Sequence, residues 1–264
     1  MRSVSRGNIY VLSLLIYDIV CQQVLALVIS ASGQEWLLDS PWIYVITEVL
    51  IFGLPFAAYH VITREKIAGT LPLGRLGLKN AALIVLMCLL ISPALMLISG
   101  LTSVLFNLGN AAEAIMSPLS GAPMILSLLA VGLMPAIFEE ITFRGVILTN
   151  HKGLGVKAAV LINGLCFGII HLNLQQFPYA FAVGVVFALF VLRSGSIWAS
   201  VLAHFCLNAS QLALNAYPVV LSRLIGGATA TPEGFAMLTV VAVAAGAGFG
   251  LIYRVFARGK TRRA

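Results

Sequence analysis

Three short motifs place polar residues inside otherwise apolar stretches in the second half of the chain. They are FEEITFRG with Glu139, Glu140 and Arg144, FGIIHL with Phe167 and His171, and HFCLN with His204 and Asn208. An ionisable side chain at mid-bilayer costs about 2.5–3.5 kcal/mol on insertion scales, so each one requires a partner, a wet cavity or a function. These motifs are therefore the first candidates for a functional site.

The two glutamates of the first motif differ in their local partners. Arg144 follows Glu140 by four residues, on one helical face and with the acid before the base, so the two can neutralise each other. Glu139 lies about 100° round the helix, without a local cation. Glu139 is thus the candidate general base toward water, while Glu140 and Arg144 form a supporting pair.

The other two motifs supply groups that suit a hydrolytic site. His171 could orient the water or hold the carboxylate, and it shares a helical face with Phe167. His204 and the Asn208 amide share another face and could stabilise the negative charge that peptide hydrolysis builds on a carbonyl oxygen. Glu139 and His171 each lie about 22–26 Å along their helices from the turn that joins those two helices. His204 and Asn208 lie about 15–21 Å along their helix from the turn that precedes it. The sequence predicts that all three motifs meet in one layer.

Each motif alone also has an ordinary structural explanation. A Glu–Arg pair often joins membrane helices, a single His near a helix end usually packs through a hydrogen bond, and an Asn commonly bonds a neighbouring helix. An unpaired Glu, two His and an Asn that arrive at one depth from three helices are much less expected from packing alone. The hypothesis of a site depends on this convergence.

The elements that must position these residues are membrane-spanning helices. Of 264 residues, 60% are hydrophobic and 9% charged, against about 25% charge in a soluble domain. Apolar runs long enough to cross about 30 Å of hydrocarbon fall at approximately 9–30, 42–63, 80–106, 123–150, 156–172, 178–192, 196–215 and 234–256. They lack the period-2 alternation of a barrel, so we predict an all-α polytopic helical bundle of about eight spans.

The chain reads as a single integral membrane domain in three parts. These are N-terminal helices at 1–122, core helices with the three motifs at 123–215, and a C-terminal helix with a basic tail at 216–264. A mixed polar segment at 64–79 and a polar loop at roughly 107–122 separate the spans. Glycines spaced four apart, Gly164 with Gly168 and Gly246 with Gly250, predict close helix packing.

The net charge of +7 is explained by topology and does not indicate a nucleic-acid partner. Fourteen of the sixteen basic residues fall on one side of the predicted spans, Arg144 lies within a span, and Arg223 lies opposite. The positive-inside rule then predicts that both termini are cytoplasmic. The four cysteines fall inside spans without CxxC spacing, as expected of buried apolar residues.

The motifs EExxxR, FxxxH and HxxxN, in this order on successive core helices, resemble those of the CPBP family, also called Abi. This family comprises CAAX prenyl proteases and bacteriocin-processing or immunity proteins, and the resemblance covers roughly residues 123–215. It implies an intramembrane glutamic endopeptidase without metal or cofactor, with Glu139 as the general base and His171 assisting it. His204 and Asn208 would form the oxyanion hole, and Glu140 with Arg144 would support the site.

The resemblance also implies the partners and the location of the protein. The substrate would be a membrane-anchored or amphipathic protein or peptide, and the lipid bilayer would be the other partner. Because most relatives are bacterial and the loops here are short, the expected location is the bacterial plasma membrane. Neither the substrate nor its cleavage site carries over from the family.

Two other functions remain open from the residues alone. Two His and a Glu are also zinc ligands, although the chain has no HExxH motif and its candidate ligands stand singly on three helices. A non-catalytic transporter, immunity or scaffold protein could use the buried Glu and His as a proton relay or ligand site. Asp18, Glu48 and His60 are further polar residues that would suit a transporter, and we interpret them as structural or peripheral.

Overall fold

The computed structural model describes residues 2–106, 119, 121–216 and 231–258. Within these residues it contains eight long helices: α1 (Arg2–Ser32), α2 (Trp42–Thr63), α3 (Leu78–Phe106), α4 (Met124–Leu154), α5 (Val156–Ile169), α6 (Phe177–Ser194), α7 (Trp198–Ala216) and α8 (Pro232–Arg258). A single helical turn at Ile67–Thr70 lies between α2 and α3. The helices coincide with the eight predicted runs, and the prediction of an all-α bundle is confirmed. Most of the predicted loop at 107–122 and the tail after Arg258 lie outside the described residues.

Six of these helices, α1 to α4, α6 and α8, are long and apolar enough to cross a membrane. The 14 residues of α5 fall short of the about 20 that a span requires. In α7 the polar side chains, including His204 and Asn208, lower the mean hydropathy of the helix, so α7 is not among the six. Large apolar side chains on the outer faces are exposed, as expected of surfaces that meet lipid tails; examples are Leu12, Leu27, Val61, Ile62, Leu89, Val240 and Val243. The chain is thus an integral membrane protein, and the total of eight crossings stays a prediction.

The helix α4 carries the first motif and packs against both N-terminal helices. The rings of Phe52 on α2 and Phe143 on α4 lie 6.1 Å apart, and Asn150 Nδ2 donates to the Tyr59 hydroxyl at 2.9 Å. The later residue of α2 contacts the later residue of α4, so these two helices run parallel. The Ser3 hydroxyl at the start of α1 donates to the Asn150 carbonyl at 3.0 Å, so α1 runs in the opposite direction.

Two π-helical segments, Leu128–Leu133 and Ile141–Ile147, interrupt α4. Such segments are rare and often occur at functional sites. In the first, the Val131 carbonyl accepts a hydrogen bond from Asn208 Nδ2 at 2.8 Å. In the second, a backbone carbonyl accepts one from the Asn163 amide at 2.6 Å. Side chains from α7 and α5 therefore tie neighbouring helices to the irregular parts of α4.

The helices α5 and α6 form an antiparallel hairpin with closely approaching backbones. A Cβ atom added at Gly184 would lie 2.8 Å from the Gly164 Cα atom, and one added at Gly168 would lie 2.9 Å from the Phe177 ring. The predicted close packing of the first glycine pair is thus confirmed. By contrast, a Cβ at Gly246 or at its partner four residues later would meet nothing within 4 Å in the described chain. That second pair is not a packing site among the described residues.

The polar segment 64–79 packs against the end of α6. Gly195, in a left-handed conformation with φ of 69°, ends α6, and its carbonyl accepts the Gly74 amide at 3.1 Å. Closer to the bundle, the Leu71 side chain lies so near α4 that a Cβ atom at Gly145 would be 2.4 Å from it. The connector is therefore packed directly beside Arg144.

We expect Gly184→Ala to destabilise the protein by about 1–3 kcal/mol, because the added methyl group overpacks the α5–α6 contact. Gly246→Ala is the matched control, since it adds the same methyl group in a helix where the described chain leaves open space. The control should be neutral or slightly stabilising because Ala favours helices over Gly. Thermal unfolding in detergent measures both, and equal melting temperatures would contradict the packing argument.

Candidate active site

Glu140 lies at the centre of a buried polar network formed by α4 and α7. Its Oε1 atom accepts hydrogen bonds from Arg144 Nη1 at 2.7 Å and from His204 Nδ1 at 2.9 Å. The side chains of Glu140 and Arg144 are both completely buried. The predicted pairing of these two residues is confirmed, and it extends to His204, which the sequence did not connect to Glu140.

Aromatic rings surround the Arg144 guanidinium group. Its Cζ atom lies 4.3 Å from the ring centroid of Phe167 and 5.2 Å from that of Phe187. The Nη2 atom also donates to the Gly184 carbonyl at 3.2 Å. Cation–π contacts are worth more when the cation is desolvated. Arg144 is therefore held by one carboxylate, one carbonyl and the faces of neighbouring rings.

Phe167 brings the second and third motifs together. Its ring centroid lies 5.2 Å from that of His171 and 5.8 Å from that of His204. Because the same ring covers Arg144, all three motifs contact it. The sequence prediction that the motifs converge agrees with these contacts, although it assigned Phe167 no more than a supporting position.

His171 lies in the turn after α5 and not inside a helix. The helix ends at Ile169, earlier than the predicted limit of 172, and Leu172 has a positive φ of 49°. The His171 ring is half-buried, and its Nδ1 atom is 2.7 Å from the Phe167 carbonyl. Since a carbonyl only accepts, Nδ1 carries the proton, and in the neutral ring Nε2 is left as an acceptor.

The two motif residues of α7, His204 and Asn208, are each held by α4. His204 is 6% exposed and points Nδ1 at the Glu140 carboxylate, which leaves Nε2 for another partner. Asn208 gives one amide hydrogen to Val131 and retains a second. The two side chains are therefore fixed from one side and keep a free polar atom on the other.

Glu139 differs from Glu140, as the sequence predicted. Its side chain is 8% exposed, and its Oε2 atom is inaccessible and has no hydrogen-bond partner among the described residues. Its charge acts on Arg144, on Tyr179 of α6 and on Glu48 of α2. Glu139 is thus a buried carboxylate with unused hydrogen-bonding capacity beside the Glu140 network.

Two residues that the sequence indicated as structural or peripheral lie near this site. Glu48 is in electrostatic range of Glu139, and Asp18 is in range of both Glu48 and His171. In the sequence, Asp18 and Glu48 share the feature that marked Glu139, because each is a carboxylate inside an apolar span without a local cation. His60, in contrast, bonds the Glu65 carbonyl at 2.8 Å in the 64–79 connector and fits the peripheral interpretation.

Among the described residues, no group of three or more His, Cys, Asp and Glu side chains is placed so that it could hold a metal ion. The four cysteines, Cys21, Cys88, Cys166 and Cys206, are unpaired thiols at buried or partly buried positions. The described geometry therefore offers no ligand set for zinc.

Comparison with known proteins identifies relatives for the core helices. Residues 121–210, which include all three motifs, match the family model of the type II CAAX prenyl endopeptidase Rce1-like proteins. The chain is also 28% identical over 118 residues to the protein named "Putative membrane peptidase YdiL" of Bacillus subtilis (strain 168). That match covers 43% of this chain and 48% of the relative, so the chain spans about half the length of the curated relative it matches. No solved structure matches the chain significantly.

The matched segment coincides with the part of the molecule where the polar network lies. It begins before α4 and ends in α7, so it contains Glu139, the Glu140 network, His171 and Asn208. The residues that carry the motifs are therefore also the residues that carry the match. On the motifs and the match together, the core helices of this chain are similar to those of CAAX-type membrane endopeptidases.

Proposed function

We propose that the protein is an intramembrane endopeptidase in which Glu139 activates water for attack on a peptide bond. The observation that carries this proposal is the unpartnered, inaccessible Oε2 atom of Glu139 beside Glu140, whose Oε1 atom is bound by both Arg144 and His204. A buried carboxylate without a partner is costly, and a general base needs such an acceptor within reach of a water molecule. The match of the core helices to a family of CAAX prenyl endopeptidases agrees with this role.

His171 is the residue we propose to assist the base. Its Nδ1 proton is committed to the Phe167 carbonyl, so Nε2 can accept a hydrogen bond from the attacking water. Water held by both Glu139 and His171 would lose one proton to the carboxylate as its oxygen attacks the carbonyl carbon. The partial exposure of His171 leaves room for that water to enter.

His204 and Asn208 are the residues we propose to stabilise the oxyanion. The second hydrogen of the Asn208 amide is a donor in any protonation state. His204 donates through Nε2 when its ring is protonated, and the Glu140 carboxylate at 2.9 Å is placed to balance that charge. Donors fixed in advance in a dry site stabilise developing charge without reorganisation.

Glu140 and Arg144 act through these residues and not on the substrate. Their ion pair holds His204 on one side and the aromatic face of Phe167 on the other. Both side chains are completely buried, so neither is available to a peptide. We assign them the supporting role that the family resemblance implies.

The proposed substrate is a membrane-anchored or amphipathic protein or peptide, and no cofactor takes part. Burial of the site within the bundle favours substrates that reach it from the bilayer. We further propose the bacterial plasma membrane as the location, with both termini cytoplasmic, from the basic residues grouped on one side of the predicted spans.

We expect Glu139→Gln to lower cleavage by at least about 100-fold, because the amide cannot accept the proton from water. The folded protein should be retained, since Oε2 has no partner to lose. Substrates come from comparing the membrane peptides of cells with and without the gene, and cleavage is then measured on a purified substrate in proteoliposomes. Full activity in this variant would refute the assignment of the base.

Glu140→Gln is the matched control, because it makes the same chemical change one residue away. Here we expect a loss of about 3–5 kcal/mol of stability, since Arg144 would remain as an uncompensated buried charge. The double variant Glu140→Gln with Arg144→Gln should be more stable than Glu140→Gln alone. Melting temperatures and elution profiles separate this folding defect from the purely catalytic defect of Glu139→Gln.

For the oxyanion hole, we expect Asn208→Asp to reduce kcat by about 10²–10³-fold, because a carboxylate cannot donate to the developing charge. The KM should change much less, since the interaction forms only as the reaction proceeds. The two constants are measured with the same purified substrate. An unchanged kcat with a raised KM would assign Asn208 to substrate binding instead.

Removal of metal ions tests the zinc alternative. Because the described residues provide no ligand set, we expect cleavage to continue unchanged after prolonged chelation, and we expect purified protein to contain no stoichiometric zinc. Elemental analysis and activity are measured on the same sample. Loss of activity that only zinc restores would overturn the metal-free mechanism.

A further inference from the structure

Glu48 of α2 is a carboxylate that the mechanism above does not use. Its Oε2 atom is inaccessible and has no hydrogen-bond partner among the described residues, which is also the condition of Glu139 Oε2. The charges of Glu139 and Asp18 both act on Glu48. Two carboxylates from different helices, each with one inaccessible and unpartnered oxygen, thus lie within electrostatic range of each other.

The register between α2 and α4 places the two carboxylates at one level. These parallel helices contact each other through pairs of residues separated by 91 positions, as in the hydrogen bond between Tyr59 and Asn150. Glu48 and Glu139 are also 91 positions apart. Each precedes a member of the Phe52–Phe143 ring pair by four residues, which is one turn along the same helical face.

The two helices also approach closely at this level. A Cβ atom added at Gly53 would lie 3.0 Å from the ring of Phe138, the residue before Glu139. A larger residue at position 53 would therefore force the helices apart. The close approach supports contact between the faces that carry Glu48 and Glu139.

The surrounding charges leave this pair without a cation of its own. The ionisable groups in electrostatic range of its members are Arg144 of α4, Asp18 of α1 and Tyr179 of α6. Arg144 is neutralised by Glu140 at 2.7 Å, and His171 interacts with Asp18. Two adjacent negative charges at this depth would each carry a large desolvation cost.

A shared proton removes this conflict, and two adjacent carboxylates are known to titrate as one coupled unit. A metal ion could also balance the charge, but the described residues include no group of three ligands that could hold one. We propose that Glu48 and Glu139 share a single proton, so that the pair carries one negative charge. This inference rests on the proposed function and makes Glu48 a positioning residue for the general base.

The shared proton fits the proton balance of peptide hydrolysis. The charged member, Glu139, accepts a proton from water while the water oxygen bonds to the carbonyl carbon. The pair then holds two protons, and one of them passes to the amine nitrogen as the carbon–nitrogen bond breaks. The pair returns to a single proton, so that the reaction consumes one water molecule and nothing else.

Infrared spectroscopy of the substrate-free protein tests the proposal directly. A protonated carboxyl group has a carbonyl stretching band that shifts in heavy water, and it is measured near neutral pH in a detergent without ester or carboxyl groups. We expect this band in the unmodified protein, its loss in Glu48→Gln, and a shift of its frequency in Glu139→Gln, where the remaining carboxyl group loses its charged partner. It should persist in Asp18→Asn and in Glu35→Gln, which alters an exposed carboxylate.

The outcomes separate the possible states of the pair. Loss of the band in Glu48→Gln together with an unchanged band frequency in Glu139→Gln would show an independent proton on Glu48 and overturn the sharing. Absence of the band in the unmodified protein would overturn it as well. If Glu48→Gln does not fold, as judged by its elution profile, the Glu139→Gln spectrum decides alone. Because no substrate is present, a failed cleavage assay would refute the proposed function without affecting this result.

Discussion

The buried ion pair between Glu140 and Arg144 is the interaction on which the rest of the site depends. Both side chains are completely enclosed, in surroundings where an unpaired charge is very costly. Each member of the pair therefore depends on a further partner, which is His204 for the carboxylate and the Gly184 carbonyl for the guanidinium group. Through those partners the ion pair fixes the relative positions of α4, α6 and α7.

The same pair explains the tight packing of the α5–α6 hairpin. Arg144 reaches the Gly184 carbonyl only because Gly184 and Gly164 have no side chains and their backbones lie in contact. The Phe167 ring fits between this hairpin and α4, where it covers Arg144 and touches both histidines. The glycines thus let the backbone approach Arg144, and the aromatic ring covers it, so both kinds of residue position this cation.

Much of this arrangement could be predicted from the sequence because it depends on local spacing. The i, i+4 relation was sufficient to pair Glu140 with Arg144 and to leave Glu139 apart, and the apolar runs were sufficient to locate the helices. The hydrogen bond from His204 to Glu140 could not be predicted, because it depends on the relative rotation of α4 and α7. The positions of Asp18 and Glu48 depend in the same way on the packing of α1 and α2, about which periodicity gives no information.

The early end of α5 has a consequence for the supply of water. At about 1.5 Å per residue, a helix of this length extends about 21 Å, whereas the hydrocarbon core is about 30 Å thick. A helix that begins at one membrane surface and ends after this length leaves the turn that follows, with the half-buried His171, within the hydrocarbon layer. Non-helical backbone at such a depth is tolerated only where protein encloses it or water reaches it. The short helix therefore requires that the backbone around His171 be either enclosed by neighbouring helices or hydrated from the nearer membrane surface.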